Sequence, residues 1–337
     1  MIDAALHVTA KQMVAPGKGL LAADESERTA GARLRSIGVE NTEEMRRQYR
    51  MLFLGTEGIE EYLSGVILHD ETIGQKDDAG VPVVEVLASR GVLPGIKVDK
   101  STHALPGFPD EAITHGIDGL PERLAHYGRS GAKFTKWRSV ISIAGETLPT
   151  RTSIEANAHA MALYAAYAQA AGLVPIVEPE VLYAGDHSLR RCEEVVKQTL
   201  EDLFTRLHEY KVDLGGTILK SSMVLPGSGS GQAASAHEVA KATLRAFRDA
   251  VPPELPGIVF LSGGQTPDQA TRHLNAIASE DDARWELSFS YARALQQPSL
   301  EIWRGNPANV AAAQEKFLER LRETAAARDG KLEANHR

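Results

Sequence analysis

The chain has 337 residues, with 37 lysines and arginines against 45 aspartates and glutamates and a formal net charge of −8. This acidic balance argues against a general nucleic-acid binder, and the lack of a run of about eighteen apolar residues argues against a membrane protein. Because the chain has one cysteine, Cys192, and no signal-peptide pattern at its N-terminus, we expect a cytoplasmic, enzyme-sized protein without disulfides or a thiolate zinc cluster.

Eight short apolar segments, each flanked by glycine, proline or charge, are typical of buried parallel strands. They cover residues 19–26, 65–71, 94–100, 132–138, 174–180, 215–221, 257–264 and 285–293. The intervals between them leave room for a helix and two loops each time. The sequence therefore predicts strands that alternate with helices.

The intervening stretches have helical periodicity and helix-start signals. Residues 187–210 place apolar side chains at steps of three or four with charge between them, which predicts an amphipathic helix. Four further sites have the pattern of a helix start: Thr152 with Glu155, Ser235 with Glu238, Thr266 before Pro267, and Asn306 before Pro307.

This alternation favours an α/β fold with one closed (β/α)8 (TIM) barrel over residues 1–320, followed by a mobile tail over residues 321–337. An open, doubly wound sheet is the alternative architecture. The glycine- and serine-rich residues 227–231 are interpreted as a mobile loop. They lack the GK[ST] ending of a nucleotide-binding loop, so a phosphate cradle there is the weaker alternative.

Most of the predicted strands end in a polar residue, and in a barrel these ends face one mouth. The residues at the strand ends are Asp24, Glu71, Lys97, Lys136, Glu178, Lys220, Ser262 and Ser290. One isolated lysine of this kind would be interpreted as a rim salt bridge. Three lysines together with carboxylates are expensive to bury, so the cluster indicates an active site.

Lys220 is the candidate nucleophile. Repulsion between clustered lysines and removal from water both favour the neutral amine, which can form a Schiff base with a carbonyl carbon. We expect Lys136 to lower the pKa of Lys220. Cation–π packing of Lys136 on Trp137 is the alternative for that residue.

The carboxylates are the candidate proton carriers. Glu178 ends the strand before that of Lys220 and is expected to donate the proton that expels water from the carbinolamine. Asp24 is expected to take a proton from a substrate hydroxyl. Glu180 shares a face with Glu178, and two close carboxylates are expected to raise one pKa.

The ends of the seventh and eighth strands predict a phosphate site, because barrels often bind phosphate there. Gly263 and Gly264 would expose backbone N–H groups, and Ser262 and Arg293 would add donors. Lys97 and Ser26 are candidates for a second anion site across the mouth.

Together these residues resemble the class I, Schiff-base fructose-bisphosphate aldolases. The stretches that carry the resemblance span roughly residues 15 to 320 and read LLAADES, SIGVENTEE, GIKVDK, KWRSV, VPIVEPE, ILK, FLSGGQ and SFSYARALQ. The resemblance implies reversible cleavage of fructose 1,6-bisphosphate, sugar phosphates as the partners, and a place in glycolysis and gluconeogenesis. It also implies a cytoplasmic homotetramer that needs neither metal nor cofactor.

The resemblance also implies roles for single residues. Lys220 matches the imine lysine, and Asp24, Lys136, Glu178 and Glu180 match residues that handle protons and charge. Ser262, Gly263 and Arg293 match residues that bind the phosphate near the imine carbon, and Ser26, Arg33 and Lys97 match residues at the distal phosphate or the wall of the cavity. Gly264, Ser290 and Arg138 complete the expected substrate-binding set.

The chain departs from the family at several positions. Ser221 and Ser222 follow the imine lysine where the family has Pro-Asn, Thr29 replaces a serine, and Ala32 replaces a lysine. Animal members end in a tyrosine that exchanges the enamine proton, whereas this chain ends in Asn-His-Arg. Another residue is then expected to perform that exchange, or the step is slower.

Three alternatives remain at this stage: a transaldolase, a pyruvate-type aldolase, and an aldolase-like scaffold for partner proteins. Two anion sites argue against the pyruvate type, and intact acid, base and lysine positions argue against the scaffold. His69, Asp70 and Glu71 are adjacent in the chain. They do not predict a metal site, because neighbouring strand residues face opposite sides.

Overall fold

A computed structural model describes residues 2–280 and 284–332, with no side-chain account for residues 2 and 3. Eight parallel strands form a closed barrel, and each overlaps one of the eight predicted segments. The barrel strands are β1 (Gly19–Ala23), β2 (Leu63–Leu68), β3 (Leu93–Lys97), β6 (Phe134–Ile141), β7 (Val174–Val181), β8 (Ile218–Ser221), β9 (Gly257–Phe260) and β10 (Glu286–Tyr291).

The order around the barrel is β1-β10-β9-β8-β7-β6-β3-β2, with β2 pairing back onto β1. This confirms the (β/α)8 prediction, and the open-sheet alternative is wrong. In register, Val177 of β7 pairs with Leu219 of β8, so Glu178 and Lys220 lie at the same level on neighbouring strands. The carboxyl ends of all eight strands meet at one face, as the barrel rule requires.

The remaining two strands form an antiparallel hairpin that was not predicted. It consists of β4 (Thr102–Ala104) and β5 (Ala112–Thr114) and lies between β3 and the next helix. Each strand has three residues, too few to show a period of two in the sequence. The hairpin extends one wall of the barrel mouth.

Twelve α-helices accompany the strands in the described part of the chain. They are α1 (Ile2–Met13), α2 (Glu27–Ser36), α3 (Glu43–Leu54), α4 (Asp70–Ile73), α5 (Val83–Ser89), α6 (Leu120–Arg129), α7 (Arg151–Ala170), α8 (Leu189–Glu209), α9 (Ala236–Ala250), α10 (Pro267–Ala278), α11 (Arg293–Trp303) and α12 (Val310–Arg328). Within these ranges, no helix combines the length and apolar composition that crossing a bilayer requires.

Most of the predicted helix starts are correct. The helix α8 occupies the range predicted for residues 187–210, and Ser235 and Thr266 open α9 and α10 with capping boxes. The predicted start at Thr152 is wrong, because the hydroxyl of Thr150 caps α7 by accepting from Ser153 N. Asn306 caps a single 3-10 turn ahead of α12 instead of the α-helix itself.

Alternation along the strands builds two apolar layers. Leu20 and Ala22 of β1 face the barrel interior, while Leu21 and Ala23 pack against the surrounding helices. Phe134 fills the interior, and a methyl group at Gly95 would overlap its ring. Close packing of this kind excludes water from the barrel axis.

The helix α1 closes the lower end of the barrel. Its residues Leu6, Ala10 and Met13, with Val14 just beyond it, belong to the same apolar cluster as the interior strand residues. The end of α12 is tied to this floor, because Arg328 donates to Val14 O at 3.0 Å. Within the described residues, the barrel is therefore closed at this end and open at the face where the strands end.

The predicted tail differs from the structure in its first part. Residues 321–328 continue α12, and Leu321, Ala325 and Ala327 are buried. Leu332 N still donates to Asn275 Oδ1 at 2.9 Å. The remaining tail residues, 333–337, lie outside the described part of the chain.

Candidate active site

A cavity of about 740 Å³ opens at the carboxyl ends of the barrel strands. Every predicted site residue lines it: Asp24, Ser26, Arg33, Lys97, Lys136, Arg138, Glu178, Glu180, Lys220, Ser262, Gly263, Gly264, Ser290 and Arg293. The structure thus brings the predicted set together in one place, and the chemical role of each member remains a prediction.

Glu178 lies at the centre of the cavity floor between two lysines from neighbouring strands. Its Oε1 is 3.1 Å from Lys220 Nζ, and its Oε2 is 3.0 Å from Lys136 Nζ. All three side chains are only 4% exposed. One carboxylate therefore touches both amines in a nearly dry environment.

Lys136 is additionally bonded to Asp24, whose Oδ2 lies 2.6 Å from its Nζ. Burial disfavours the charge on Lys136, but Asp24 and Glu178 outweigh it and raise the pKa of Lys136 well above its usual range. Burial likewise opposes ionisation of Asp24, yet Lys136 and Lys220 hold the pKa of Asp24 far below normal. The pair is therefore an ammonium and a carboxylate at neutral pH.

The expectation that Glu178 and Glu180 raise one another's pKa is wrong for Glu178. Burial works in that direction, but the charges of Lys136, Lys220 and Arg138 lower the pKa of Glu178. Glu180 itself is paired with Arg138. Each of the two carboxylates is thus paired with cations of its own.

Cation–π packing of Lys136 on Trp137 is also not observed. Trp137 is fully buried on the other side of β6 and stacks on Tyr164, with ring centroids 5.4 Å apart. Neighbouring strand residues face opposite sides, so the tryptophan packs toward α7 while the lysine enters the cavity.

Asp99 is a cavity residue that sequence reasoning missed. Its Oδ1 lies 2.5 Å from Lys97 Nζ, and its Oδ2 accepts from Arg138 N at 3.2 Å. Asp99 follows the predicted strand end in GIKVDK, and this position could have identified it as a residue of the cavity. Asp99 ties the end of β3 to β6 and fixes the Lys97 side chain.

Arg33 is engaged in a similar way. It is paired with Glu25, and it donates to Tyr49 Oη at 2.7 Å and to Gln296 Oε1 at 2.5 Å. Ser26 caps α2 by accepting from Thr29 N at 3.3 Å. The start of α2 and its partners therefore form one side of the cavity.

The opposite side is built from backbone and unpaired donors. Gly263 and Gly264 have φ values of 58° and 95°, which glycine adopts without strain. The helix α11 begins at Arg293, which lines the cavity, and no side chain caps its first turn. The hydroxyl of Ser290 is buried and has no hydrogen-bond partner within the described residues. Such a set suits an anion.

Glu71 is the strand-end residue that does not join the cavity. It lies in α4, with Arg46 Nη2 at 2.5 Å and Arg50 as its second partner. His69 caps the same helix by accepting from Glu71 N. Across the described residues, no three His, Cys, Asp or Glu side chains are grouped as metal ligands would be.

The glycine- and serine-rich residues 227–231 are fastened to the loop after β7, unlike the mobile loop that was expected. Gly227 N donates to His187 O at 2.8 Å, and Ser228 N donates to Tyr183 O at 2.9 Å. Ser228 and Tyr183 both line the cavity and were missed. No strand-end signal marks them, because both lie in loops.

Comparisons with known proteins agree on one family. A family model described as fructose-bisphosphate aldolase class-I matches residues 5–337. A probable fructose-bisphosphate aldolase class 1 of Xanthomonas campestris pv. campestris is 52% identical over 97% of this chain and 98% of its own length. Fructose-bisphosphate aldolase C of Rattus norvegicus is 47% identical over 97% of this chain and 90% of its own.

Among solved structures, a fructose-bisphosphate aldolase from Plasmodium falciparum, in complex with TRAP and a small-molecule inhibitor, superposes with a TM-score of 0.97. It is 43% identical to this chain, and the alignment covers 99% of this chain and 96% of that one. A solved aldolase structure therefore matches the fold of this chain over nearly its whole length.

Proposed function

Because the chain belongs to the class I fructose-bisphosphate aldolase family, we propose that Lys220 is the amine that bonds covalently to the substrate. The family's enzymes are carbon–carbon lyases of glycolysis, and the reaction is the reversible cleavage of fructose 1,6-bisphosphate to dihydroxyacetone phosphate and glyceraldehyde 3-phosphate. The proposal rests on one observation, the buried Lys220 amine 3.1 Å from Glu178 in the cavity.

The neighbouring lysine is not suited to the same role. Lys136 is bonded to two carboxylates, and its raised pKa keeps it an ammonium ion, which is not a nucleophile. Lys220 has one carboxylate partner among the described residues. Its amine is therefore the freer of the two to attack a ketone carbon.

Glu178 is proposed to move the proton that imine formation requires. The amine lone pair of Lys220 bonds to the carbonyl carbon, and the carbonyl oxygen becomes a hydroxyl that must leave as water. Glu178 touches both amines, so it can pass a proton from Lys136 to that hydroxyl. Loss of water leaves a positively charged iminium.

Asp24 is proposed as the base of the cleavage step. Its low pKa means that it is ionised and can accept the proton of the C4 hydroxyl. The C3–C4 bond then breaks, its electron pair moves to the iminium nitrogen, and the aldehyde departs from an enamine. Glu180, held by Arg138, adds negative charge near this cation.

The two phosphates are proposed to occupy opposite sides of the cavity. Arg293 has no carboxylate partner among the described residues, so it offers an uncompensated charge beside the N–H groups of Gly263 and Gly264. Ser262 and Ser290 add hydroxyls there. The distal phosphate is assigned to Ser26, Arg33, Lys97 and Arg138, of which the last three already hold carboxylates.

We further propose that the reaction needs no metal and no cofactor, because the iminium itself withdraws the electron pair. Activity is expected to survive EDTA. The 1–320 barrel is proposed to act as one unit in a cytoplasmic homotetramer. Light scattering of the purified protein and fractionation of the source cells test these two statements.

The decisive experiment traps the imine. The protein is incubated with dihydroxyacetone phosphate, reduced with borohydride, digested and mapped by mass spectrometry. A reduced adduct at Lys220 is expected, and a parallel reaction without the sugar phosphate is the control. Labelling at Lys136 or Lys97 instead overturns the assignment.

A further inference from the structure

The acidic side chains of the cavity are nearly all occupied. Each carboxylate that lines it holds at least one cation: Asp24 with Lys136, Glu25 with Arg33, Asp99 with Lys97, Glu178 with Lys136 and Lys220, and Glu180 with Arg138. Among the described residues, the one ionisable acid that lines the cavity without a side-chain partner is the phenol of Tyr183.

Tyr183 is placed across the strand that carries the proposed imine lysine. Its backbone lies two residues beyond β7, and its ring lies against the turn that follows β9, where a Cβ on Gly264 would be 3.6 Å from its Cδ1. Since β8 lies between β7 and β9, the side chain passes over the end of β8. Lys220 belongs to β8.

The position of Tyr183 is held by two loops. Its carbonyl accepts from Ser228 N at 2.9 Å, which joins it to residues 227–231. A side chain at Gly227 would collide with the carbonyl of Gly185, so only glycine allows this approach. The ring is partly buried against the core, while its residue lines the open cavity.

We propose that Tyr183 is the catalytic acid that protonates the enamine after the aldehyde has left, a role that rests on the imine proposed at Lys220. The electron pair of the enamine carbon–carbon double bond forms a C–H bond with the phenolic proton, the O–H bond breaks, and the products are an iminium on Lys220 and a tyrosine phenolate. Asp24 releases the proton of the C4 hydroxyl to water at the open mouth, this water returns a proton to the phenolate, and a second water hydrolyses the iminium.

The other groups are poorly suited to this step. In the proposed cycle Asp24 and Glu178 already serve the cleavage and imine-forming steps, and each is paired with a lysine, Asp24 Oδ2 at 2.6 Å from Lys136 Nζ and Glu178 Oε1 at 3.1 Å from Lys220 Nζ. Lys136 lies between these two carboxylates, 2.6 Å from Asp24 and 3.0 Å from Glu178, so the protons it exchanges pass to them. A general acid must also reach the carbon without leaving a buried charge unpaired. Tyr183 meets this condition, because the side chain lies at the open end of the cavity.

The test compares Tyr183→Phe with Tyr167→Phe, a matched change on the exposed face of α7. Dihydroxyacetone phosphate is incubated with each protein in D₂O, and loss of the C3–H signal is followed by NMR. Tyr183→Phe is expected to slow this exchange by about 10²-fold or more, because general acid–base groups contribute on that scale. Tyr167→Phe is expected to match the unsubstituted enzyme.

Borohydride trapping separates the possible failures. The Lys220 adduct is expected at normal yield in both variants, together with a normal rapid release of glyceraldehyde 3-phosphate in the first turnover. If Tyr183→Phe traps normally but exchanges the C3 proton at the unsubstituted rate, Tyr183 is not the acid. If the unsubstituted enzyme gives no adduct at Lys220, the imine proposal fails first and the role of Tyr183 falls with it.

Discussion

Two carboxylates of this barrel, one buried and one partly exposed, each lie between two cations, yet only one of them lies in the cavity. Glu178 holds Lys136 at 3.0 Å and Lys220 at 3.1 Å. Glu71, at the end of another strand, is 14% exposed and is also bonded on both sides. The two sites have the same arrangement of charge, so the charge pattern alone does not show which of them belongs to the candidate active site.

The difference lies in the cations. Glu71 is held by Arg46 and Arg50, which keep their protons under all conditions in which the protein is folded. Of the two amines beside Glu178, that of Lys220 is the one proposed to lose a proton and act as a nucleophile. The two guanidinium groups join helices α3 and α4 through Glu71. The two amines beside Glu178 instead provide groups that can exchange protons in the cavity. Strand-end acids therefore need their partners identified before a role is assigned.

The largest effect is expected from making the Glu178 site resemble the Glu71 site. Lys220→Arg keeps a cation beside Glu178 but removes the amine that forms the imine. Cleavage of fructose 1,6-bisphosphate should fall by on the order of 10⁴-fold or more, as when other covalent nucleophiles are removed. A coupled assay measures the rate, and an unchanged melting temperature shows that the charge pair is retained. Residual activity near normal would contradict a covalent role for Lys220.

A large loss of stability, with little loss of activity per folded molecule, is expected from Glu71→Gln. The change leaves the buried guanidiniums of Arg46 and Arg50 without their shared carboxylate, which costs on the order of 3–5 kcal/mol. Urea unfolding measures it. Glu44→Gln, on the exposed face of α3, removes a surface carboxylate from Arg47 and serves as the matched control with little expected change.

The same pair predicts a pH dependence. Burial opposes ionisation of Glu71, but hydrogen bonds from Arg46 and Arg50 hold its pKa below the ordinary value. The stability from Glu71 is thus fully present above the unfolded-state pKa of about 4.3 and is lost as the pH falls through the folded-state pKa. The gap between unsubstituted protein and Glu71→Gln should be constant near neutrality and shrink in acid. A gap that stays constant to pH 3 would show that ionisation of Glu71 is irrelevant.

A smaller effect is expected from Arg293→Ala, which removes a cation that holds no carboxylate. The loss of a charge-assisted contact should raise KM for the bisphosphate by about 10- to 100-fold, with a smaller change in kcat. Arg190→Ala, at an exposed position of α8, is the control. An unchanged KM would remove Arg293 from the phosphate site.

The smallest effect is expected at Lys197, a surface lysine that lies between two carboxylates as Lys136 does. Lys197 lies 2.8 Å from Asp249 and 3.9 Å from Glu201, but its side chain is 41% exposed. Lys197→Ala should leave the melting temperature and the cleavage rate within measurement error, because water already solvates all three groups. A measurable fall in either would mean that burial does not explain the special position of Lys136.

Much of this molecule could be predicted from local patterns. Each barrel strand overlaps an apolar run with a polar residue near or shortly after its end, so the eight strands and the cluster around Lys220 follow from sequence and the barrel rule. The hairpin of β4 and β5 could not be predicted, because its strands are too short to show a period. Tyr183 and Ser228 could not be found either, since their place depends on how two loops meet.

Partner choice is the other part that sequence did not reveal. Glu71 lies shortly after one buried strand and Glu178 near the end of another, and only the fold shows that one meets arginines from α3 while the other meets lysines from adjacent strands. Asp99 and Glu25 similarly neutralise cations that were expected to be free for phosphate. Long-range pairing of charges is set by tertiary contacts, which a single sequence does not encode in any local signal.

The helix α1 covers the base of the barrel, so the described residues leave the cavity open at the opposite end. Substrate, water and both products then pass through the same opening of the cavity. In the mechanism proposed for Lys220, the aldehyde is no longer attached to the protein and leaves through this opening first, and water then enters to release the fragment that Lys220 holds.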